Sequence, residues 1–142
     1  MGFEMELSDE QWREKLPRDR YEVLRGAGTE PAFSGSLLHV EADGSFTCGG
    51  CGQALFESGA KFDSGSGWPS FDKAIEGTVI ERADNSHFMR RTEIVCSRCG
   101  GHLGHVFDDG PTDTGMRYCV NSLAVDFETA PDAEPADKPE RS

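Results

Sequence analysis

The five cysteines of this 142-residue chain divide by spacing into two chemical kinds. Cys48 and Cys51 form one CxxC pair, Cys96 and Cys99 form another, and Cys119 stands alone. A tetrahedral ion needs four ligands and each CxxC turn supplies two, so the pairs together point to one closed zinc site. Four thiolates leave no open position for water or substrate, which makes the zinc structural. The alternatives for these four are buried free thiols or disulfides, and disulfides do not suit a reducing compartment. Cys119 is then left with no partner, inside Arg117-Tyr118-Cys119-Val120-Asn121-Ser122. The thiolate is the reactive form and a neighbouring guanidinium favours it, so Cys119 is a candidate nucleophile. The competing reading is a buried inert cysteine, the commoner fate of a lone one.

Further residues could complete a site around that sulfur. On a strand, residues two apart share a face, so Arg117, Cys119 and Asn121 would point one way, Tyr118 and Val120 the other. His102 and His105 are three apart and would face oppositely on a regular strand. A bulge at Gly104 would bring both to one site. Trp68, between Gly67 and Pro69, can offer an aromatic face or simply fill the core. His39 and Glu41 ahead of Cys48 faintly echo the HxE and PCxxC signature of zinc deaminases. The echo fails: Thr47 stands where proline belongs, the spacing is too short, and Cys96 and Cys99 would have no role.

The elements that must hold these residues are short. Residues 8–16 read as a helix with Ser8 and Gln11 at capping-box spacing. Pro17 opens a second helix ending at Leu24, before Gly26. From Leu37 the texture changes to strands. Leu37–Val40 and Ser45–Cys48 flank a turn signal at Ala42-Asp43-Gly44. Thr78–Ala83 and His87–Val95 flank Asp84-Asn85. Gly101–Phe107 and Arg117–Phe127 complete the set, while the stretch from Asp63 to Phe71 reads as a structured loop. Residues 1–127 form a single domain, and 128–142, acidic and proline-rich, read as a disordered tail.

Composition bounds the function. With 17 glycines and 36% hydrophobic residues, a turn-rich β domain is favoured over a helical bundle. The formal charge is −12, or about −14 once four thiolates and a zinc ion are counted. Such a surface repels phosphate backbones and anionic membranes, so neither nucleic acid nor membrane is expected as a partner. No segment has the length of a transmembrane helix. The acidic N-terminus lacks signal-peptide character, and a cytoplasmic location is expected.

Several motifs then occur in one order: Gly28-Thr29-Glu30, Phe33-Ser34-Gly35, the two CxxC pairs, and Lys61-Phe62-Asp63-Ser64-Gly65. Gly67-Trp68-Pro69-Ser70-Phe71, Gly101-His102-Leu103-Gly104-His105-Val106-Phe107, Asp109-Gly110-Pro111, Thr114-Gly115 and the segment around Cys119 follow. Over about Leu7 to Phe127 the chain resembles the B-type peptide methionine sulfoxide reductases, the MsrB family. The resemblance implies two antiparallel β-sheets with short N-terminal helices, stapled by the four-cysteine zinc site. It implies an oxidoreductase of protein repair under oxidative stress, which reduces the R epimer of methionine sulfoxide in proteins and peptides. By the same resemblance Cys119 is the nucleophile, and His102, His105 and Asn121 handle the sulfoxide oxygen. Arg117 supports the thiolate, and Trp68 and Phe71 contact substrate. The implied partners are oxidised proteins and a reductant, thioredoxin or a small thiol, acting on a monomer. One departure stands out: many family members carry a resolving cysteine where this chain has Ser66. Two rivals remain, a non-catalytic zinc-binding interaction module and a thiol sensor oxidised directly by peroxide.

Overall fold

The structure is a computed structural model that describes residues 5–38, 40, 42–85 and 91–129. Two helices lead the chain, α1 (Asp9–Lys15) and α2 (Arg18–Leu24). The Ser8 hydroxyl accepts from the Gln11 N–H at 3.1 Å, and the Gln11 side chain accepts from the Ser8 N–H at 2.9 Å. Two otherwise orphaned donors are thus satisfied reciprocally, as the spacing in the sequence implies. The helices bury Trp12, Val23 and Leu24 against the rest of the fold, and Leu16, the residue that caps α1, is buried with them.

Nine strands follow among the described residues: β1 (Gly44–Cys48), β2 (Ala54–Glu57), β3 (Lys61–Phe62), β4 (Ser70–Phe71), β5 (Val79–Asp84), β6 (Arg91–Cys96), β7 (His102–Phe107), β8 (Arg117–Val120) and β9 (Val125–Thr129). They form two antiparallel sheets, one ordered β2-β1-β9 and the other β3-β4-β8-β7-β6-β5. The fold is therefore mainly β with two short helices, as expected. Aromatic rings join the sheets. Phe71 of β4 stacks on Phe56 of β2 with centroids 4.3 Å apart and meets Phe46 of β1 edge-on at 4.9 Å. Truncation of such a buried ring to alanine costs about 3–5 kcal/mol.

The details depart from the sequence reading in four places. Leu37 and Leu38 lie in a turn rather than a strand, tied down by a Leu37 N–H bond to the Ser122 hydroxyl at 3.2 Å. The hairpin partner of β1 is β2, which follows it in the chain, rather than a strand before it. Arg117–Phe127 is not one strand: it breaks at Asn121, turns through Ser122–Ala124, and crosses from the large sheet to the small one. Finally, β9 includes Glu128 and Thr129, which the sequence reading assigns to the tail; residues 130–142 lie outside the described residues. So do His39, Glu41 and residues 86–90, which hold the start of the expected strand His87–Val95. The expected pairing of the two strands on either side is present from Val79↔Cys96 to Asp84↔Arg91, with Asp84 in β5 rather than in a turn. No helix among the described residues is long and apolar enough to cross a membrane.

Candidate functional site

The two CxxC knuckles meet. Cys48 ends β1 in the small sheet and Cys96 ends β6 in the large one, and all four Sγ atoms lie within 4.8 Å of one another. Cys48 and Cys99 are 3.6 Å apart, Cys51 and Cys96 3.5 Å. Ligands about 2.3 Å from a central ion in a tetrahedron are separated by about 3.8 Å, so the donor set fits a four-coordinate metal. The sulfurs also accept backbone amides, Gly50 N–H on Cys48 at 3.3 Å and Arg98 N–H on Cys96 at 3.4 Å. Without a cation the buried thiols compete for one negative charge. Hydrogen bonding to Cys96, then to Cys99, and burial push Cys48 far up. Cys96, accepting from Cys48 and Cys99, is pulled down to about 2. A divalent ion would remove that conflict by letting every sulfur ionise. Trp12 of α1 packs over the knuckle, so the metal site and the helices share a core: a Cβ on Gly50 would sit 3.4 Å from its ring.

Cys119 is remote in role from this cluster. It sits on β8 between β4 and β7, with Ser70 and His105 as its cross-strand neighbours. It is 8% exposed and opens onto a cavity of about 280 Å³. β7 and β8 approach closely here, because Gly104 has no side chain: a Cβ at that position would fall 1.9 Å from the Cys119 carbonyl oxygen. Arg117 Nη1 donates to the Cys119 sulfur at 2.8 Å. Its Nε and Nη2 donate to the two carboxylate oxygens of Asp109 at 2.8 and 3.1 Å. The guanidinium fork is thus held by one anion and aims its third nitrogen at the sulfur. Arg117 holds Asp109 below the usual carboxylate range, and Asp109 in turn raises Arg117.

The face expected from the strand period is present. Arg117, Cys119 and Asn121 all line the cavity, and Tyr118 turns to the core and meets Phe56 at 5.8 Å; Val120, expected on the opposite face, also borders the cavity. Asn121 is fixed at both ends of its amide. Its oxygen accepts from Glu30 N–H at 2.9 Å, and its nitrogen donates to the Leu103 carbonyl at 3.1 Å. Trp68 lines the cavity and donates its Nε1–H to the Glu30 carbonyl at 2.9 Å, so its ring walls the pocket rather than filling the core.

The two histidines are brought together by a bulge beside the expected glycine. Ile94 pairs with Gly104 and Val95 with His102, leaving Leu103 as the extra residue. The rings approach edge-on with centroids 5.5 Å apart. His105 lines the cavity and donates Nε2–H to Asp84 at 2.7 Å. His102 stands behind it, buried, with Nδ1 2.7 Å from a Glu93 carboxylate oxygen. Burial pushes His102 below the ordinary imidazole value, and Glu93 offsets part of that. An ionised carboxylate only accepts, so the contact is Nδ1–H of His102 donating to Glu93.

Phe71, expected beside the substrate, is not brought to the cavity. Successive strand residues face opposite sides, so Ser70 faces Cys119 and Phe71 faces the core. Several residues that hold the site escape the sequence reading. Behind the cavity wall, Asp84 and Glu93 orient the imidazoles from β5 and β6 and Glu30 braces both Asn121 and Trp68, while Arg91 lines the wall itself. A serine cluster also lies against the sulfur: Ser66 and Ser70 hydroxyls are each 3.7 Å from it, and Ser64 bonds both at 2.8 and 2.7 Å.

The SelR domain matches residues 16–129. The "Peptide methionine sulfoxide reductase MsrB" of Leptospira interrogans is 50% identical over 129 residues, covering 90% of this chain and 98% of that protein. The MsrB of Bradyrhizobium diazoefficiens is 56% identical, covering 85% of this chain and 88% of its own. That of Methanosarcina barkeri is 52% identical, with coverage of 88% and 89%. Among solved structures, the Mis18 "Yippee-like" domain superposes with a TM-score of 0.51 at 21% identity, over 62% of this chain and 97% of that one; this likeness is one of fold alone. The chain belongs to the SelR-domain family, together with the MsrB proteins.

Proposed function

We propose that this protein reduces methionine sulfoxide in proteins and peptides, acting on the R epimer through a Cys119 sulfenic acid. The observation that carries the reading is Cys119 itself. It is the one cysteine outside the four-sulfur cluster, and it opens onto a cavity with Arg117 Nη1 at 2.8 Å and His105 across the strand. Attack by the Cys119 thiolate on the electrophilic sulfoxide sulfur starts the reaction. The oxygen passes to the cysteine sulfur with one proton, giving Cys119–SOH, and the substrate sulfur leaves with the electron pair as methionine. His105, the imidazole on the cavity wall, relays the proton, with His102 behind it. Asn121 lines the polar side near the sulfoxide oxygen. Trp68 offers an apolar wall for the S-methyl group. A methyl wall facing a polar wall discriminates one arrangement at sulfur from its mirror image.

Cys48, Cys51, Cys96 and Cys99 would hold one zinc ion, which would tie the two sheets together and, with four thiolate ligands, leave no open position for chemistry. Thiolate ligands and a reactive thiol suit a reducing, cytoplasmic compartment, and monomeric action needs no residue from a second chain. Turnover of a peptide methionine sulfoxide, each epimer presented separately, tests the reading. Reduction of the R form is expected. Equal rates on both epimers would remove the specificity claim, and no reduction of either would favour a zinc-binding module or a peroxide sensor.

Regeneration follows from Ser66. With the other four cysteines committed to metal, the sulfenic acid awaits an external thiol, thioredoxin or a small one. That thiol condenses with it to a mixed disulfide and water, and a second thiol releases Cys119. Because the Ser66 hydroxyl is 3.7 Å from the Cys119 sulfur, Ser66→Cys is expected to form a disulfide with Cys119 after one turnover. A sulfur–sulfur bond of about 2.05 Å needs only a small movement of this loop. Mass analysis after a single turnover checks this. A persistent sulfenic acid in the variant, or a bond from wild-type Cys119 to one of the CxxC cysteines, would contradict the proposed route.

A further inference from the structure

The cavity beside Cys119 has a volume of about 280 Å³, just under the roughly 300–1,000 Å³ typical of small-molecule sites. It takes one side chain. If that side chain belongs to a polypeptide, the residues on either side of it must rest on the rim. What the rim offers there is Phe33. Of the large hydrophobic residues described, Phe33 is the most exposed, at 69%. A single exposed apolar side chain is ordinary, but this one is held in place at a backbone cost. Its φ is +66°, a left-handed conformation that bulky residues seldom adopt.

The segment that carries Phe33 is anchored to the cavity walls. Thr29 lines the cavity, and Glu30 bonds both Asn121 and Trp68 through its backbone. Phe33 N–H then donates to the Gly67 carbonyl at 2.6 Å. Gly67 lies between Ser66 and Trp68, which both line the cavity. The approach is close enough to require glycine: a Cβ at Gly67, already at φ +95°, would fall 2.6 Å from the Ala32 Cβ and 2.9 Å from the Phe33 ring. A strained, solvent-facing aromatic is thus fixed against the backbone of the mouth, with no core to fill.

We infer that Phe33 is a docking platform for the polypeptide around the oxidised residue, receiving an apolar side chain that flanks the target methionine sulfoxide. The inference rests on the reductase reading and extends it from the reacting side chain to its neighbours. The occupant is an extended or unfolded segment, because a residue packed inside a folded partner cannot enter the cavity while its neighbours reach the rim. The enzyme should therefore favour methionine sulfoxide set in apolar sequence, the kind of segment that unfolding exposes.

Three R-epimer substrates test this on the full chain: the amide of N-acetylmethionine sulfoxide, a peptide with glycine on both sides of the sulfoxide, and one with leucine or phenylalanine there. Wild type is expected to prefer the apolar peptide over the glycine peptide in kcat/KM by roughly five- to tenfold, the scale of one aromatic contact. Phe33→Ala should erase that preference and leave the small amide unchanged. Phe33→Gly, which also relieves the left-handed φ, should do the same while melting no lower than wild type. Phe33→Tyr should retain the preference. Equal rates on the two peptides, or a preference that survives Phe33→Ala, would overturn the platform. Failure of wild type to reduce even the small amide would instead overturn the reductase reading and the platform with it.

Discussion

Cys119→Ser is expected to abolish sulfoxide reduction, lowering kcat by at least about a thousandfold, as removal of a sole nucleophile does elsewhere. The hydroxyl is similar in size but is not ionised near neutral pH, so Arg117 at 2.8 Å has no anion to stabilise. The fold should survive. Cys119 lies at the cavity edge of β8, and its hydrogen-bond neighbours Ser66, Ser70 and Arg117 can all bond an oxygen in its place. The melting temperature and metal content should therefore match wild type. Activity assays alongside calorimetry check both halves. Retention of most activity would show that another group carries the oxygen transfer.

The second large effect belongs to the metal cluster. Replacing Cys48, Cys51, Cys96 or Cys99 with serine should release the ion and destabilise the fold by about 3 kcal/mol or more, since structural zinc binding is coupled to folding. That corresponds to a fall of roughly 10 °C in Tm for a domain of this size. The effect is large because the cluster spans the sheets, with Cys48 ending β1 and Cys96 ending β6. It also underlies the α1 contact through Trp12. One zinc per chain is expected by elemental analysis. A metal-free preparation with full activity and unchanged melting would contradict the assignment.

Legibility in the sequence tracked how local the determining physics is. The helix start at Ser8, the four cysteines and the shared face of Arg117, Cys119 and Asn121 depend on neighbours a few residues away, and all are present. The strand Arg117–Phe127 misled because its alternation runs on past Asn121. What breaks it is tertiary: the Asn121 side chain bonds Leu103 and Glu30, far away in the chain. Leu37 and Leu38 read as strand for their apolar character, yet Ser122 and Lys61 claim their backbone groups. Asp84 and Glu93 were invisible as histidine partners because only the antiparallel register of β5, β6 and β7 brings them there. Phe71 illustrates the period-two rule from the other side. Its motif neighbours Trp68 and Ser70 reach the site, and it does not.

The most direct test of the central claim is a single turnover without reductant. Enzyme with zinc in place and Cys119 reduced is mixed with excess peptide methionine-R-sulfoxide and a sulfenic-acid trap, and the released methionine is counted per chain. One equivalent of methionine and one oxygen trapped on Cys119 are expected, with none from the S epimer and none from Cys119→Ser. No methionine, or methionine formed while Cys119 stays a free thiol, would contradict the account.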